Sequence, residues 1–324
     1  MADIWLQFLF TIDATFRVAT PLILCAMAGI FSEKSGVIDI SLEGKMLASA
    51  FVAAAVASVA HSAWAGLGAA MVTAVMLSML HGVASITLRG NQVISGLAIN
   101  ILASGLTVTI GIALFRQGGQ TPTLARDDRF RPIELPFVDQ IDAIPILGTV
   151  YREVISGHNI LVWLALAAVV VTSLIITRTR FGLRLRAVGE KPEALDSAGV
   201  SVMKTRYQAL IIAGILSGIA GAYLSTAHGS GFVREMTAGK GYIALAAMIF
   251  GKWQPRGALL ACLLFGFLEA VASRLQGIQL PIIGEAPVDL ILALPYLLTV
   301  ILLAGFVGKA MPPRAIGEPY VKER

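Results

Sequence analysis

Apolar residues come along this chain in long, nearly unbroken runs, not in the alternating or three-to-four spacing of half-buried soluble elements. The runs cover Val18 to Phe31, Met46 to Ala60, Trp64 to Leu88 and Leu97 to Phe115. They resume at Asn159 to Thr177, Tyr207 to Ala227, Ala258 to Ala272 and Val288 to Val307. A bilayer core about 30 Å thick takes roughly 20 helical residues per crossing. Only helices and closed barrels satisfy their backbone hydrogen bonds in lipid. The pattern therefore predicts a single all-α domain, residues 1–324, built as a polytopic transmembrane helical bundle. Taking seven of these eight runs as clear spans, with partial ones added, gives about 8–10 helices. Tyr242 to Phe250 is too short to cross. Two polar, glycine-bearing stretches, Glu33 to Lys45 and Gly229 to Pro255, read as broken or re-entrant segments. Such backbone survives at membrane depth only against protein or a water-filled cavity, and it commonly marks a transport site.

Composition sharpens this. The chain is 56% hydrophobic and 14% charged, with a mean hydropathy of +0.79. A soluble domain averages about 25% charged residues and would expose large apolar patches with so much apolar material. The net charge of +5 raises nucleic-acid binding, but no basic patch interleaved with aromatics accompanies it, so no nucleic-acid partner is expected. Cys25 and Cys262 lie inside apolar runs and belong to no CxxC or Cys/His cluster, so neither a disulfide nor a metal site is expected. His61, His81, His158 and His228 are isolated and read as packing or interface residues. Asp3 and Asp13 precede the first run where a signal peptide would carry a basic region, and Ala26-Met27-Ala28 is read as an imitation of a cleavage site.

The charges set the topology. Residues 178–206 carry Arg178, Arg180, Arg184, Arg186, Lys191, Lys204 and Arg206 against Glu190, Glu193 and Asp196. By the positive-inside rule this loop is cytoplasmic, as is the tail with Lys309, Arg314, Lys322 and Arg324. The polar interval 116–158, with Pro122, Pro132, Pro136 and Pro145, then forms an external loop. Five runs precede the basic loop, which places the amino terminus outside. An inside terminus needs one more crossing, from Glu33 to Lys45 or from Ile141 to Ile155.

The segment from Ser32 to Leu47 carries the most chemistry. If it is helical, Asp39 and Glu43, four residues apart, share one face, and Lys45 can pair with either. A carboxylate at membrane depth is costly unless paired or solvated, and usually faces a polar pathway. The segment resembles the signature "ERSGVVNIGLEGMML" of permease subunits of ATP-binding-cassette importers, in the branch for nucleosides and simple sugars. Ser32-Glu33, Ser35-Gly36-Val37, Ile40 and Leu42-Glu43-Gly44 carry the match. Asp39 stands for the usual Asn, Ser41 for Gly, and Lys45 for an apolar residue. Asp39 suits a ligand that is cationic or rich in hydrogen-bond donors.

Three further stretches are similar to the same family. Phe181 to Val200 reads as a short helix with Pro192 at its first position, Glu193 at its positive end and Gly199 as its stop; it resembles "GENPEAARAAGI", with Lys191 where the family has the better-capping Asn. The resemblance implies that this corner, through Arg186, Gly189, Glu190, Pro192, Glu193 and Gly199, docks on an ATPase subunit and transmits its closure. Gly214 to Gly221 places small residues at helix-packing spacing and is similar to "GxLxGxAGA". Gly229 to Gly257 is similar to "GxGFxALAVAILGxWxPxGA". Asn91, Gln92 and Asn100 fall in a stretch resembling "ANQVVSGLALN", and with Asp39 and Glu43 they are the candidate lining of the translocation pathway.

No Walker phosphate loop is present, so the chain has no such device for ATP. No HExxH or GxSxG motif suggests an intramembrane enzyme. The expectation is therefore a non-enzymatic, cofactor-free permease subunit, multi-pass in the bacterial inner membrane among membrane lipid. The resemblance implies three partners: a separate ATPase, a second permease subunit (identical or homologous) and an extracytoplasmic solute-binding protein. Nucleosides are the expected substrates. Simple sugars such as ribose are the alternative, and a secondary carrier coupled to ions through Asp39 and Glu43 is the competing class.

Overall fold

The computed structural model describes residues 2–136, 144, 147–275, 279–280, 284–285, 293, 297 and 311–322. The apolar run Val288 to Val307, except positions 293 and 297, lies outside the described residues, as do Lys309 and Arg324.

Among the described residues, seven helices are long and apolar enough to cross a membrane: residues 5–34, 42–60, 63–87, 92–115, 160–178, 202–228 and 255–275. In chain order the described α-helices of six residues or more are α1 (Ala2–Lys34), α2 (Leu42–Ala60), α3 (Ala63–Gly82), α4 (Gln92–Phe115), α5 (Ile160–Arg178), α6 (Arg180–Glu190), α7 (Pro192–Ser197), α8 (Val202–Tyr223), α9 (Lys240–Phe250) and α10 (Pro255–Leu275). π-helical turns extend α3 through Thr87 and α8 through His228. A two-residue antiparallel pair, Gln279–Leu280 with Gly284–Glu285, is the one ladder between strands among the described residues.

Helix α1 begins well before its apolar run. The threonine hydroxyls of Thr11, Thr15 and Thr20 bond back to the carbonyls four residues earlier, and Asp13 pairs with Arg17 one turn on. Such bonds hide side-chain polarity inside the helix, so helix persists where hydropathy falls. Asn91, Asn159 and Ser201 cap α4, α5 and α8 by accepting from the first free backbone N–H groups.

Helices α1, α2 and α8 form the interior. At the centre, Leu22, Ile23, Met27, Ile30 and Phe31 of α1 pack with Met46, Ala209, Ala220 and Tyr223. The small residues of α8 act as predicted. A Cβ at Gly214 would come 2.8 Å from the Val75 Cα, at Gly218 2.7 Å from the Met71 Cα, and at Gly221 2.4 Å from the Met46 carbonyl. Backbone thus approaches backbone, which is how helices gain van der Waals contact in lipid. Helices α3, α4, α5 and α10 form the flanks, and α4 is the least covered, with 22% of its span buried.

Five long helices precede the corner formed by α6 and α7. Neither candidate sixth crossing is supplied by the described residues. Glu33 to Lys45 is the end of α1, a turn and the start of α2. Of Ile141 to Ile155, residues 141–143 and 145–146 lie outside the described set. The helical part, Leu147 to Ile155, is about 14 Å long at 1.5 Å per residue, half a crossing.

Candidate functional site

Two chain segments enter the bundle as irregular backbone and then turn into helices. Residues 35–41 lead from the end of α1 into α2. Residues 229–239 descend from the far end of α8 into α9. Both are held by side chains of α4, so their depth can be read along that helix. Gln92 and Asn100, eight residues apart, are about 12 Å apart along an axis of about 36 Å.

At the start of α4, Gln92 Oε1 accepts from the Ile38 N–H at 2.7 Å. His81 Nε2 donates to the Ile38 carbonyl at 2.9 Å, leaving Nδ1 to accept from the Ser95 hydroxyl at 3.1 Å. One third of the way along, Asn100 Oδ1 accepts from the Gly44 N–H at 2.8 Å. Its Nδ2 donates to the Ile40 carbonyl at 3.0 Å and the Tyr242 hydroxyl at 2.9 Å. The irregular peptide 38–41 and the first turn of α2 thus find their partners in side chains, as backbone at this depth must.

Asp39 and Glu43 do not share a helical face. Asp39 precedes α2, Gly36 turns the chain with φ +84°, and the side chains of Gln92, His81 and Asn100 replace the missing helical bonds. Asp39 is fully buried and paired with Lys45 at 2.6 Å, with Ser41 donating to its other oxygen. The acid that replaces Asn and the base that replaces an apolar residue therefore neutralise each other. Glu43 reaches across to α9, accepting from the Gly239 N–H at 2.9 Å and the Gly241 N–H at 2.6 Å. It is a carboxylate cap on another element's N-terminus, where the helix dipole favours negative charge. Asn91 is exposed and spent on its own cap; it borders a groove of about 560 Å³ between α3 and α4, lined by Leu80, Ala84, Ile94 and Ala98.

The same end of the bundle carries the α6–α7 corner. Arg186, Glu190, Glu193 and Gly199 are exposed, whereas Gly189 and Pro192 are buried. Pro192 opens α7, Lys191 donates no cap, and Gly199 follows with φ +78°. Val188, Leu195 and Val202 form a small core under the corner. Gly189 lies against α1, where an added Cβ would meet the Lys34 carbonyl at 2.3 Å.

Three features here escaped the sequence reading. Arg206, taken as a topology charge, is 1% exposed; its Nε donates to the Ser35 carbonyl at 3.1 Å and its Nη1 to the Glu318 carbonyl at 3.1 Å. The tail is a strap, with the Ala315 N–H on the Gly189 carbonyl, the Gly317 N–H on the Gly36 carbonyl, and Lys322 near Asp196 at 3.7 Å. Trp253 Nε1 donates to the buried Glu33 at 2.6 Å. Only the position of Arg206 at the very edge of an apolar run hinted at the first. The tail carries no pattern that would reveal the second. Trp253 and Glu33 sit in separate family-like blocks, which the fold joins.

At the opposite end, residues 116–136 pack on the segment after α8. The Thr121 N–H donates to the Phe232 carbonyl, Thr121 Oγ1 accepts from the Phe232 N–H, and the Phe130 N–H donates to the Thr226 carbonyl. Of the histidines, exposed His61 pairs with Asp128, His158 meets the Val154 carbonyl and His228 stacks on Tyr223, while His81 braces the irregular segment at Ile38. Cys25 and Cys262 are free and buried.

Residues 11–303 match the family described as branched-chain amino acid transport system / permease component. The chain is 38% identical to the guanosine ABC transporter permease protein NupQ of Bacillus subtilis, over 96% of each chain. It is 35% identical to the nucleoside ABC transporter permease protein NupC of Lactococcus lactis, over 94% of this chain and 95% of that one. With the putative glucose ABC transporter permease protein TsgC13 of Haloferax volcanii it shares 34% identity, over 85% and 80%. With these matches, and with seven membrane-length helices among the described residues, the chain belongs to this family of membrane-embedded permeases of ATP-binding-cassette transporters.

Proposed function

We propose that this chain forms the translocation pathway of an importer for nucleosides, driven by ATP hydrolysis on a separate subunit. The observation that carries this reading is the physical link between the corner and the irregular entry segments. Gly189 abuts Lys34, and the tail ties Gly189 to Gly36. From there residues 37–44 run directly to Gln92, Asn100 and Glu43. A displacement of α6 and α7 therefore has a short, packed route to the centre of the bundle, and packed interiors transmit such strain.

In this reading Arg186, Glu190, Glu193 and Gly199 face the ATPase, while Gly189 and Pro192 seat the corner. Residues 178–206 lie on the cytoplasmic side and residues 116–158 outside. Asp39, Glu43, Asn91, Gln92 and Asn100 serve the pathway, chiefly by bracing the wall that substrate passes. A second permease subunit completes the pathway and an external binding protein delivers solute. ATP binding shifts the pair between two access states only insofar as the ATPase binds one of them better. The names of the similar permeases favour nucleosides, and the glucose permease keeps simple sugars as the second substrate class.

The test is reconstitution in vesicles with the partner ATPase and binding protein. ATP-dependent accumulation of radiolabelled guanosine is the expected result, with none when the ATPase is omitted. Accumulation by this chain alone on an ion gradient would establish the carrier instead.

A further inference from the structure

The fold displays a carboxylate beside the midpoint of a membrane-length helix. Ser104 is the thirteenth residue of the 24-residue helix α4, about 18 Å from its start and so at its midpoint. Its hydroxyl donates to Glu235 Oε1 at 2.5 Å, and Glu235 is exposed. An ionisable group cannot be left facing hydrocarbon at that depth; such groups face a water-filled cavity, a partner or a pathway. Around it the uncovered surface of α4 is apolar, with Leu97, Ile101, Leu102 and Leu106 exposed.

The chain holds Glu235 there against local preference. Its φ of +54° and that of Ala238, +47°, are left-handed without being glycine, a strain that persists only when the surroundings impose it. The anchors are visible on both sides: Phe232 is 1% exposed and tied to Thr121, and Thr237 is fully buried. Ser104 is the one hydrogen-bond donor to this carboxylate among the described residues, whereas a carboxylate offers about four acceptor sites. Beside it, a Cβ at Gly105 would meet nothing within 4 Å. One turn of α4 away, Asn100 holds the hydroxyl of Tyr242, whose side chain is 43% exposed.

We propose that Glu235 and Tyr242 form a mid-membrane way-station for the transported solute, with Ser104 and Asn100 as positioning residues. This rests on the reading of the chain as a pathway-forming subunit. The chemistry fits a neutral ligand with paired hydrogen-bond donors and a flat or polyhydroxylated ring. The donors bind the open lone pairs of Glu235 and the ring lies on the face of Tyr242. Paired donors come either from the vicinal hydroxyls of ribose or from the N–H edge of guanine.

Thiol chemistry tests the site in the assembled importer, where the buried native cysteines give little background. Glu235→Cys is expected to react with a membrane-impermeant methanethiosulfonate roughly tenfold faster than Val170→Cys on the exposed flank of α5, because only a hydrated thiol ionises. Guanosine is expected to slow that reaction. Protection by ribose as well assigns the donors to the hydroxyls, and protection by guanosine but neither inosine nor ribose assigns them to the base edge. Glu235→Gln is expected to cut guanosine uptake roughly tenfold, by weakening a charge-assisted bond, with Val170→Ala unchanged. Reactivity as slow as that of Val170→Cys overturns the site, as does fast reactivity that no solute alters while the wild-type importer is active. A wild-type complex that moves none of the three solutes overturns the importer reading instead, and the thiol rates still report whether Glu235 meets water.

Discussion

Single residues in this permease carry two different burdens, and burial separates them. Asp39 and Lys45 are fully buried and satisfied by each other. Breaking one member of such a pair leaves an uncompensated charge, which typically costs about 3–5 kcal/mol, while removing both is often neutral. Asp39→Asn is therefore expected to lower the unfolding midpoint of the detergent-solubilised protein markedly. Asp39→Asn with Lys45→Met, which restores the residue types of the related signature, is expected to recover most of it. A double variant as unstable as the single one would mean that the pair's charge is itself required. Glu43 is different, because its oxygens hold the N-terminus of α9. The sequence marked all three residues as exceptional. It could not show that two of them cancel and the third is a cap, since those partners lie in the fold and not in the spacing.

At the scale of elements, the α7 half of the corner was legible, whereas the separate helix α6 was not. Pro192 at the first helical position and Gly199 in the left-handed region are local backbone rules, and local rules need no tertiary knowledge. The long helices were legible too, although their ends were not: α1 runs sixteen residues before Val18 because threonine and Asp13–Arg17 bonds conceal its polarity. The corner makes a sharp expectation. Glu190 and Glu193 are exposed, so their replacement by Lys leaves the fold intact and inverts the charge of the face proposed to meet the ATPase. Glu190→Lys with Glu193→Lys is expected to lower uptake roughly tenfold, since like charges placed across an interface repel, while ATP hydrolysis by the complex continues. Paired measurement of uptake and phosphate release checks this, and unchanged uptake would remove the corner from the coupling route.

For the whole molecule, the two ends of the bundle differ in kind. One holds the corner, the strap and the turn after α1; the other holds residues 116–136 packed on the loop after α8. The expected sidedness follows the basic residues. Cysteines introduced at Arg184 or Glu193 should react with impermeant reagents only from the cytoplasmic face, and a cysteine at Arg126 only from outside. Labelling of both sets from the same face would contradict the topology.

The sequence by itself determined that this chain lives in a bilayer, that it is built of long helices and where its basic corner lies, because each of those follows from local hydrophobicity, capping and backbone preference. It also named the two irregular stretches, since glycine and charge inside apolar surroundings are visible at once. Only the tertiary structure decided what those stretches do. It set Glu43 on α9, Asn100 between two segments, Trp253 on Glu33, and Glu235 at the midpoint of α4. The physical reason is that irregular backbone and buried charge in lipid must be satisfied by something, and the satisfying groups here come from positions up to about two hundred residues away.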